Sequence, residues 1–280
     1  MLATTIPLNR IKINMENYML SICLQKTMVL IIGVFCANVA MAQTTDIAGI
    51  TLGMSESAAI EKLKSHSKFM LLSKSIMEYN NPISNDKNQK FAIGLNASNN
   101  NFGAILAVPP EKNGVVQDGI SDNFKLEYTY PPGKPEVVSI KRDVSNIKNP
   151  PTPEQLLSNY QKKYGSPIFS KGSLHVWVYN SDDSCMKNLK TTNPSWLAYA
   201  SPGEIYGHYS QSNDFKRKFQ SCEDIVTLDL SGRDLVHSFT TKSINLRKFF
   251  KSIDEWNIFV EKNKAEALNM KKTQGQVPKI

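Results

Sequence analysis

The chain has 280 residues, 33 Lys and Arg against 25 Asp and Glu, a formal net charge of +8 and 41% hydrophobic residues. That length and apolar content fit one large domain or two small ones and exclude a disordered polyelectrolyte. The positive charge is spread among acids, with Lys216-Arg217-Lys218 as the one compact cluster, so a nucleic-acid-binding protein is not expected.

The N-terminus reads as a leader. Met28 to Ala42, MVLIIGVFCANVAMA, is apolar except for Asn38, follows Lys26 and ends in Ala40-Met41-Ala42, which matches a basic region, an apolar core and a small-residue cleavage site. The run is shorter than the roughly 20 residues that span a bilayer. Residues 1–42 are therefore expected to be a signal peptide, with Met15 or Met19 as alternative starts. Phe35 precedes Cys36, where a lipoprotein signal needs a small side chain. The expected product is a periplasmic or secreted protein with no stable membrane insertion after cleavage.

Cys23 and Cys36 fall in the leader, which leaves Cys185 and Cys222. Two thiols in an exported chain imply one disulfide, worth about 4 kcal/mol in the entropy model for a loop of this length.

Along the mature chain, Ile47 to Leu63 reads as a strand, a Gly-Met-Ser turn and an amphipathic helix, with Ser55 as N-cap and Ala59, Ile60 and Leu63 on one face. Asn80 to Gln89 has loop composition. Phe91 to Leu95 and Ala104 to Val108 are short apolar runs suited to a hairpin or two strands. Phe124 to Tyr130 alternates strictly, and after the turn Pro131 to Pro135 the run Val137 to Val144 returns as its antiparallel partner. Arg142 falls on the apolar face of that strand and is read as reaching past the sheet edge.

Ser145 to Pro151 is the best linker in the chain. After it, Thr152, Pro153 and Gln155 form a capping-box start, Leu156, Leu157, Tyr160 and Tyr164 make a buried face, and Gly165 with Pro167 stops the helix. The device repeats the one at Ser55. Leu174 to Tyr179, apolar on both faces, reads as an interior strand. The excursion from Cys185 to Cys222 carries Trp196, Tyr199, Tyr206 and Tyr209, with Trp196 to Ala200 as a candidate strand. Ile225 to Leu230 and Leu235 to Phe239 flank a hairpin turn at Ser231 to Asp234. Ser252 to Glu255 reads as a second capping box in a C-terminal helix whose stripe runs through Trp256, Phe259, Val260 and Ala267, with Leu246, Phe249 and Phe250 in the same helix or in a preceding turn, and Lys271 to Ile280 as a disordered tail.

The run I-x-G-I-x-L-G-M-S before an amphipathic helix, followed by K-Y-G-S-P and a Trp-bearing strand, resembles uncharacterised bacterial periplasmic proteins with a fold like SmpA/BamE. β-Lactamase inhibitory proteins share that fold as tandem modules. The resemblance rests on structural motifs, covers two short stretches and implies an architecture without an active site. The expected fold is α+β: two similar modules at 43–148 and 149–270, each an N-terminal helix packed on a small antiparallel sheet, plus a C-terminal helix, then a tail at 271–280.

No G-x-S-x-G, phosphate-binding glycine loop, H-E-x-x-H or dinucleotide turn is present. His66, His175, His208 and His237 each stand alone in sequence, so no metal site and no cofactor are expected. Ser231, Asp234 and His237 contain triad residue types in one short hairpin, which seldom supplies triad geometry. Asp182 and Asp183 lack the spaced oxygen ligands of a calcium loop. What remains is the aromatic group Trp196, Tyr199, Tyr206 and Tyr209, on a connection too long to be a simple link. The function expected is non-enzymatic binding of a protein or envelope component through that loop, with enzyme inhibition as a narrower form. A secreted hydrolase with a site scattered over the fold is the rival.

Overall fold

The computed structural model describes residues 45–66, 71–83, 88–98, 120–192, 194–200 and 202–274. The expected signal peptide, the run Ala104 to Val108 and residues 275–280 lie outside them.

The first helix, α1 (Glu56–His66), is preceded by a turn rather than a strand: Ile47 and Ile50 bridge each other, and Gly53 N–H donates to the Val137 carbonyl. Four strands follow, β1 (Leu71–Tyr79), β2 (Gln89–Ser98), β3 (Ser121–Tyr128) and β4 (Val137–Ser145). Next come α2 (Pro153–Tyr164), β5 (Phe169–Lys171) and β6 (Leu174–Tyr179). Four short helices succeed them: α3 (Asp183–Thr191), α4 (Ser195–Tyr199), α5 (Pro202–Gln211) and α6 (Asn213–Phe219). β7 (Asp224–Ser231), β8 (Ser238–Asn245) and the long α7 (Leu246–Gln274) complete the chain.

All eight strands belong to one antiparallel sheet in the order β1-β2-β3-β4-β8-β7-β6-β5. The linker after β4 therefore does not separate two sheets, because β4 pairs directly with β8, from Ser139 opposite Ile244 to Val144 opposite Phe239. In-register neighbours share a face, and the row Leu126, Ile140, Ser243, Val226, Trp177 runs across five strands. On that face Ala59 and Leu63 of α1 pack with Leu126 and Ile140, while Tyr160 and Tyr164 of α2 pack with Trp177 and Val226. The next row, Lys125, Lys141, Lys242, Thr227, Val176, faces the other way. There the core joins Val176, Ile225 and Ile244 to Leu189, Leu197, Ile205, Phe219, Phe249 and Ile253.

The α2 start follows its sequence. Thr152 Oγ1 accepts from Gln155 N–H (3.3 Å), Gln155 Oε1 accepts from Thr152 N–H (3.0 Å), and Gly165 closes the helix at φ 77°. The β7-β8 turn needs its glycine: Gly232 sits at φ +123°, and a Cβ there would lie 1.9 Å from the Leu235 carbonyl oxygen.

Several expectations are corrected. The partner of β2 on its outer side is β1, with a register shift at Ser75/Ile76. Trp196 to Ala200 is not a strand, since Ser195–Tyr199 is helical, with Leu197 and Ala198 turned inward and Tyr199 outward. Ser252 does not open a helix. α7 begins at Leu246, where Asn245 Oδ1 accepts from Lys248 N–H (2.7 Å), and the buried Ser252 hydroxyl donates to the Phe249 carbonyl inside the helix. α7 continues through Gln274, into the stretch expected to be disordered. Although it is 29 residues long, neither it nor any other described helix is apolar enough to cross a membrane.

Candidate functional site

Residues 180–223, between β6 and β7, form a helical insertion tied at its base. Cys185 and Cys222 are joined by a disulfide with Cα atoms 5.1 Å apart. Asp182 caps α3 by accepting from Cys185 N–H (2.8 Å), and the same oxygen accepts from the Ser221 hydroxyl (2.9 Å). The two ends of the insertion are thus held by a covalent bond and a shared carboxylate. That role also accounts for Asp182, considered in the sequence as a calcium ligand.

Above this base, α4, α5 and α6 enclose an open cleft of about 630 Å³ lined by Trp196, Tyr199, Glu204, His208, Phe215 and Phe219 among others. Trp196 meets Phe215 and Phe219 edge-on at 5.2 and 5.1 Å, and His208 leans on Phe215 at 5.6 Å. Phe215 and Phe219 reach one side because they lie four residues apart on a helix capped by Ser212. Tyr199 is 62% exposed. Its hydroxyl donates to Asp229 Oδ2, while Asp229 Oδ1 accepts from Ser173 (2.6 Å). That hydrogen bond, with some burial, pushes the Tyr199 phenol up to about 12, so it remains a donor across the physiological range.

The structure divides the four aromatics singled out in the sequence. Trp196 and Tyr199 line the cleft. Tyr206 stacks on Tyr130 at 5.7 Å, and Tyr209 is buried, stacked on Phe250 at 4.2 Å with its hydroxyl on Asp254 (2.9 Å). Tyr206 thus fastens the insertion to the β3–β4 turn, and Tyr209 fastens it to α7. Lys216 belongs to the same fastening, over the Tyr209 ring at 4.8 Å and 3.0 Å from Asp254. Phe215, Phe219 and Glu204 were not singled out, and His208 only as a lone imidazole. The F-x-x-x-F spacing behind Ser212 was the signal that would have found the first two.

Beneath the cleft lies a buried charge. Lys242 of β8 is 2% exposed and donates to the Ala200 carbonyl (2.7 Å), which closes α4. Burial pushes its amine down to about 8, with Glu127 opposing that shift. Burial likewise raises the Glu127 carboxyl against the pull of Lys242 and Lys125.

A second polar constellation lies on the opposite face. Arg142 grips Asp122 with two hydrogen bonds (2.8 and 2.7 Å), and His66, the last residue of α1, lies 2.9 Å from the same carboxylate. Arg142 therefore does not reach past the sheet edge; it lies over Phe124 at 5.4 Å and is held by Asp122. Burial alone would raise the Asp122 carboxyl, but the hydrogen bonds from Arg142 and His66 outweigh it and hold the group below its ordinary range. The cluster ties the end of α1 to β3 and β4. His175 is buried beside Ser170 (3.0 Å), with its imidazole pushed down by burial. His237 is bonded to Ser231 through the backbone, N–H to carbonyl at 3.2 Å. Among the described residues no three His, Cys, Asp or Glu side chains gather to hold a metal ion.

The chain matches no family model, and no curated protein and no solved structure matches it.

Proposed function

We propose that this chain is an exported, non-enzymatic binding protein that recognises a protein or envelope component through the aromatic cleft of its insertion. The observation that carries the reading is the cleft itself: about 630 Å³, walled by Trp196, Tyr199, Phe215 and Phe219 and rimmed by Glu204, His208, Asp214 and Lys218. Aromatic walls with a polar rim are the composition of binding hot spots, where ring burial supplies affinity and the rim supplies register. The disulfide supports export, because such bonds persist in oxidising compartments. Inhibition of a secreted enzyme is a narrower form of the same reading.

We further propose that residues 43–148 and 149–270 are two related modules of the SmpA/BamE type. Supporting this, α1 precedes β1–β4 and α2 precedes β5–β8, and both helices lie on the same face. A crystal structure in which the two helix-and-sheet halves fail to superpose would remove the duplication.

The binding test uses Trp196→Ala with Tyr199→Ala in the full exported chain, with in-cell cross-linking and a thermal scan. The expected result is a folded protein whose cross-links at the insertion disappear, since anchors of this kind cost an interface about 2 kcal/mol or more when truncated. Unchanged cross-links at the insertion would remove the cleft as the recognition site.

A further inference from the structure

The sheet ends on two unlike edges. At one, β5 is three residues long; at the other, β1 runs for nine, and among the described residues its one strand neighbour is β2. An edge strand presents backbone N–H and C=O groups with no ladder partner, and proteins keep such strands very short or cover them. Shortness protects the β5 edge and does not protect β1.

The side chains of β1 alternate between the two faces. Leu72 packs with the core beneath α1, and Lys74 Nζ lies 2.6 Å from Glu56 of α1, so the even-numbered residues share the α1 face. Tyr79 meets Trp256 of α7 at 5.0 Å, so the odd-numbered residues take the other. The outer part of the α1 face is the run Lys74, Ile76, Glu78. Ile76 is 47% exposed, with only Ala92 opposite it on β2, and the Lys74 and Glu78 side chains are 53% and 56% exposed.

That run is complementary to a second copy of itself. Two identical strands related by a two-fold axis normal to the sheet pair antiparallel with one residue opposite its own counterpart. Centring on Lys74 or Glu78 opposes like charges, and centring on Ser75 or Met77 sets Ile76 against a charge. Centring on Ile76 opposes isoleucine to isoleucine and places each Lys74 opposite the Glu78 of the second copy. The existing contacts of Lys74 with Glu56 and of Glu78 with Lys90 (3.1 Å) are kept, because an ammonium has three donors and a carboxylate accepts more than one bond. Signs then alternate across the seam: Lys90 and Glu78 of one copy, Lys74 and Glu56 of the other. We propose that β1 is a self-association edge, through which two copies of this chain join along residues 73–79 in the register centred on Ile76 and form one continuous sheet. Apolar and opposite-charge pairs directly across an antiparallel seam each stabilise it. The seam is separate from the aromatic cleft and does not require the cleft to be occupied.

The test is sedimentation velocity of the full mature chain over a series of concentrations, which should show a monomer–dimer equilibrium. Ile76→Lys, at a position exposed enough to leave the fold intact, sets like charges together on the axis and should weaken the dimer about tenfold or more. Trp196→Ala with Tyr199→Ala should leave it unchanged. A short thiol-to-thiol crosslinker reads the register. Pairing about Ile76 brings its two Cβ atoms to about 5 Å, whereas Ser73 lies opposite Tyr79 and the two Ser73 positions are about 20 Å apart. Ile76→Cys should therefore give a covalent dimer and Ser73→Cys should not. A chain that stays monomeric at every concentration, a dimer that survives Ile76→Lys, or a dimer that Ile76→Cys fails to crosslink overturns the proposal. Loss of the dimer in the Trp196/Tyr199 variant also overturns it, since self-association would then run through the cleft.

Discussion

Each half of the sheet follows an amphipathic helix in sequence, yet the two halves are covered differently. β1 to β4 carry α1 on one face, while on the other Lys125 and Lys141 stand open to solvent. β6 to β8 carry α2 on one face and the four-helix insertion on the other, so Trp177, Val226 and Ile225 are fully enclosed. The first half is a plain scaffold; the second adds forty-odd residues, a disulfide and a cleft. Besides α1, the first half takes only contacts from α7 on its other face, so the insertion is the larger addition, and the proposed recognition cleft lies in it.

Removing the disulfide should separate the halves most. Cys185→Ser with Cys222→Ser should lower stability by about 4 kcal/mol in the entropy model. Hydrogen exchange should show lost protection in α3 to α6 and retained protection in β2 to β4. Uniform loss over both halves would mean that the insertion holds the whole sheet and is not an addition to it.

The next effect concerns the charge beneath the cleft. The Lys242 amine titrates at about 8 in the fold and at 10.5 ordinarily. Between those values the unfolded chain retains a proton that the folded chain has released, so stability should rise with pH by about 3 kcal/mol. Glu127 acts in another range: its raised carboxyl contributes fully below 4.5 and less as pH climbs through its folded value. Above pH 10 the raised phenols of Tyr128, Tyr164 and Tyr179 reverse the trend, since the folded state then holds the protons. Urea unfolding at a series of pH values should show the rise in the native chain and lose it in Lys242→Met.

Thr152→Ala should cost about 1 kcal/mol by removing the α2 cap. The matched change Ser55→Ala at α1 should cost less, because the Ser55 hydroxyl lies 3.4 Å from Ala58 N against 3.3 Å with a full reciprocal box at Thr152. The smallest effect belongs to Tyr199→Phe, which should move stability by less than about 0.5 kcal/mol while weakening cross-linking at the cleft, because the ring loses its tether to Asp229.

Signals within one element read well in the sequence. Thr152-Pro153-Glu154-Gln155 named its helix start, and the alternation of Phe124, Leu126 and Tyr128 named β3 and its buried face. β1 was missed because LLSKSIMEY holds its apolar residues in adjacent pairs, Leu71-Leu72 and Ile76-Met77, rather than in alternation; it pairs with β2 through a register shift at Ser75/Ile76. Ser252 misled because a serine bonding back to the preceding turn looks, in sequence, like one that opens a helix. The cleft was half legible. Aromatic content marked the insertion, but whether Tyr199 or Tyr209 faces solvent depends on where α7 lies, and Phe250 sits 41 residues beyond Tyr209.

The meeting of β4 with β8 has a consequence for how the chain is made. Its central seam joins residues 139–144 to 239–244, so the first four strands are complete long before their inner neighbour has been synthesised. Until then β4 presents a row of unpaired backbone donors and acceptors, the situation that invites pairing with another chain. A polypeptide ending in the linker near Pro151 would keep that row permanently, and two such copies can satisfy it by laying β4 against β4 in the same antiparallel sense that β8 provides. Truncation there should therefore yield dimers or larger assemblies on a sizing column, while the full chain, having brought its own β8, seals the seam itself.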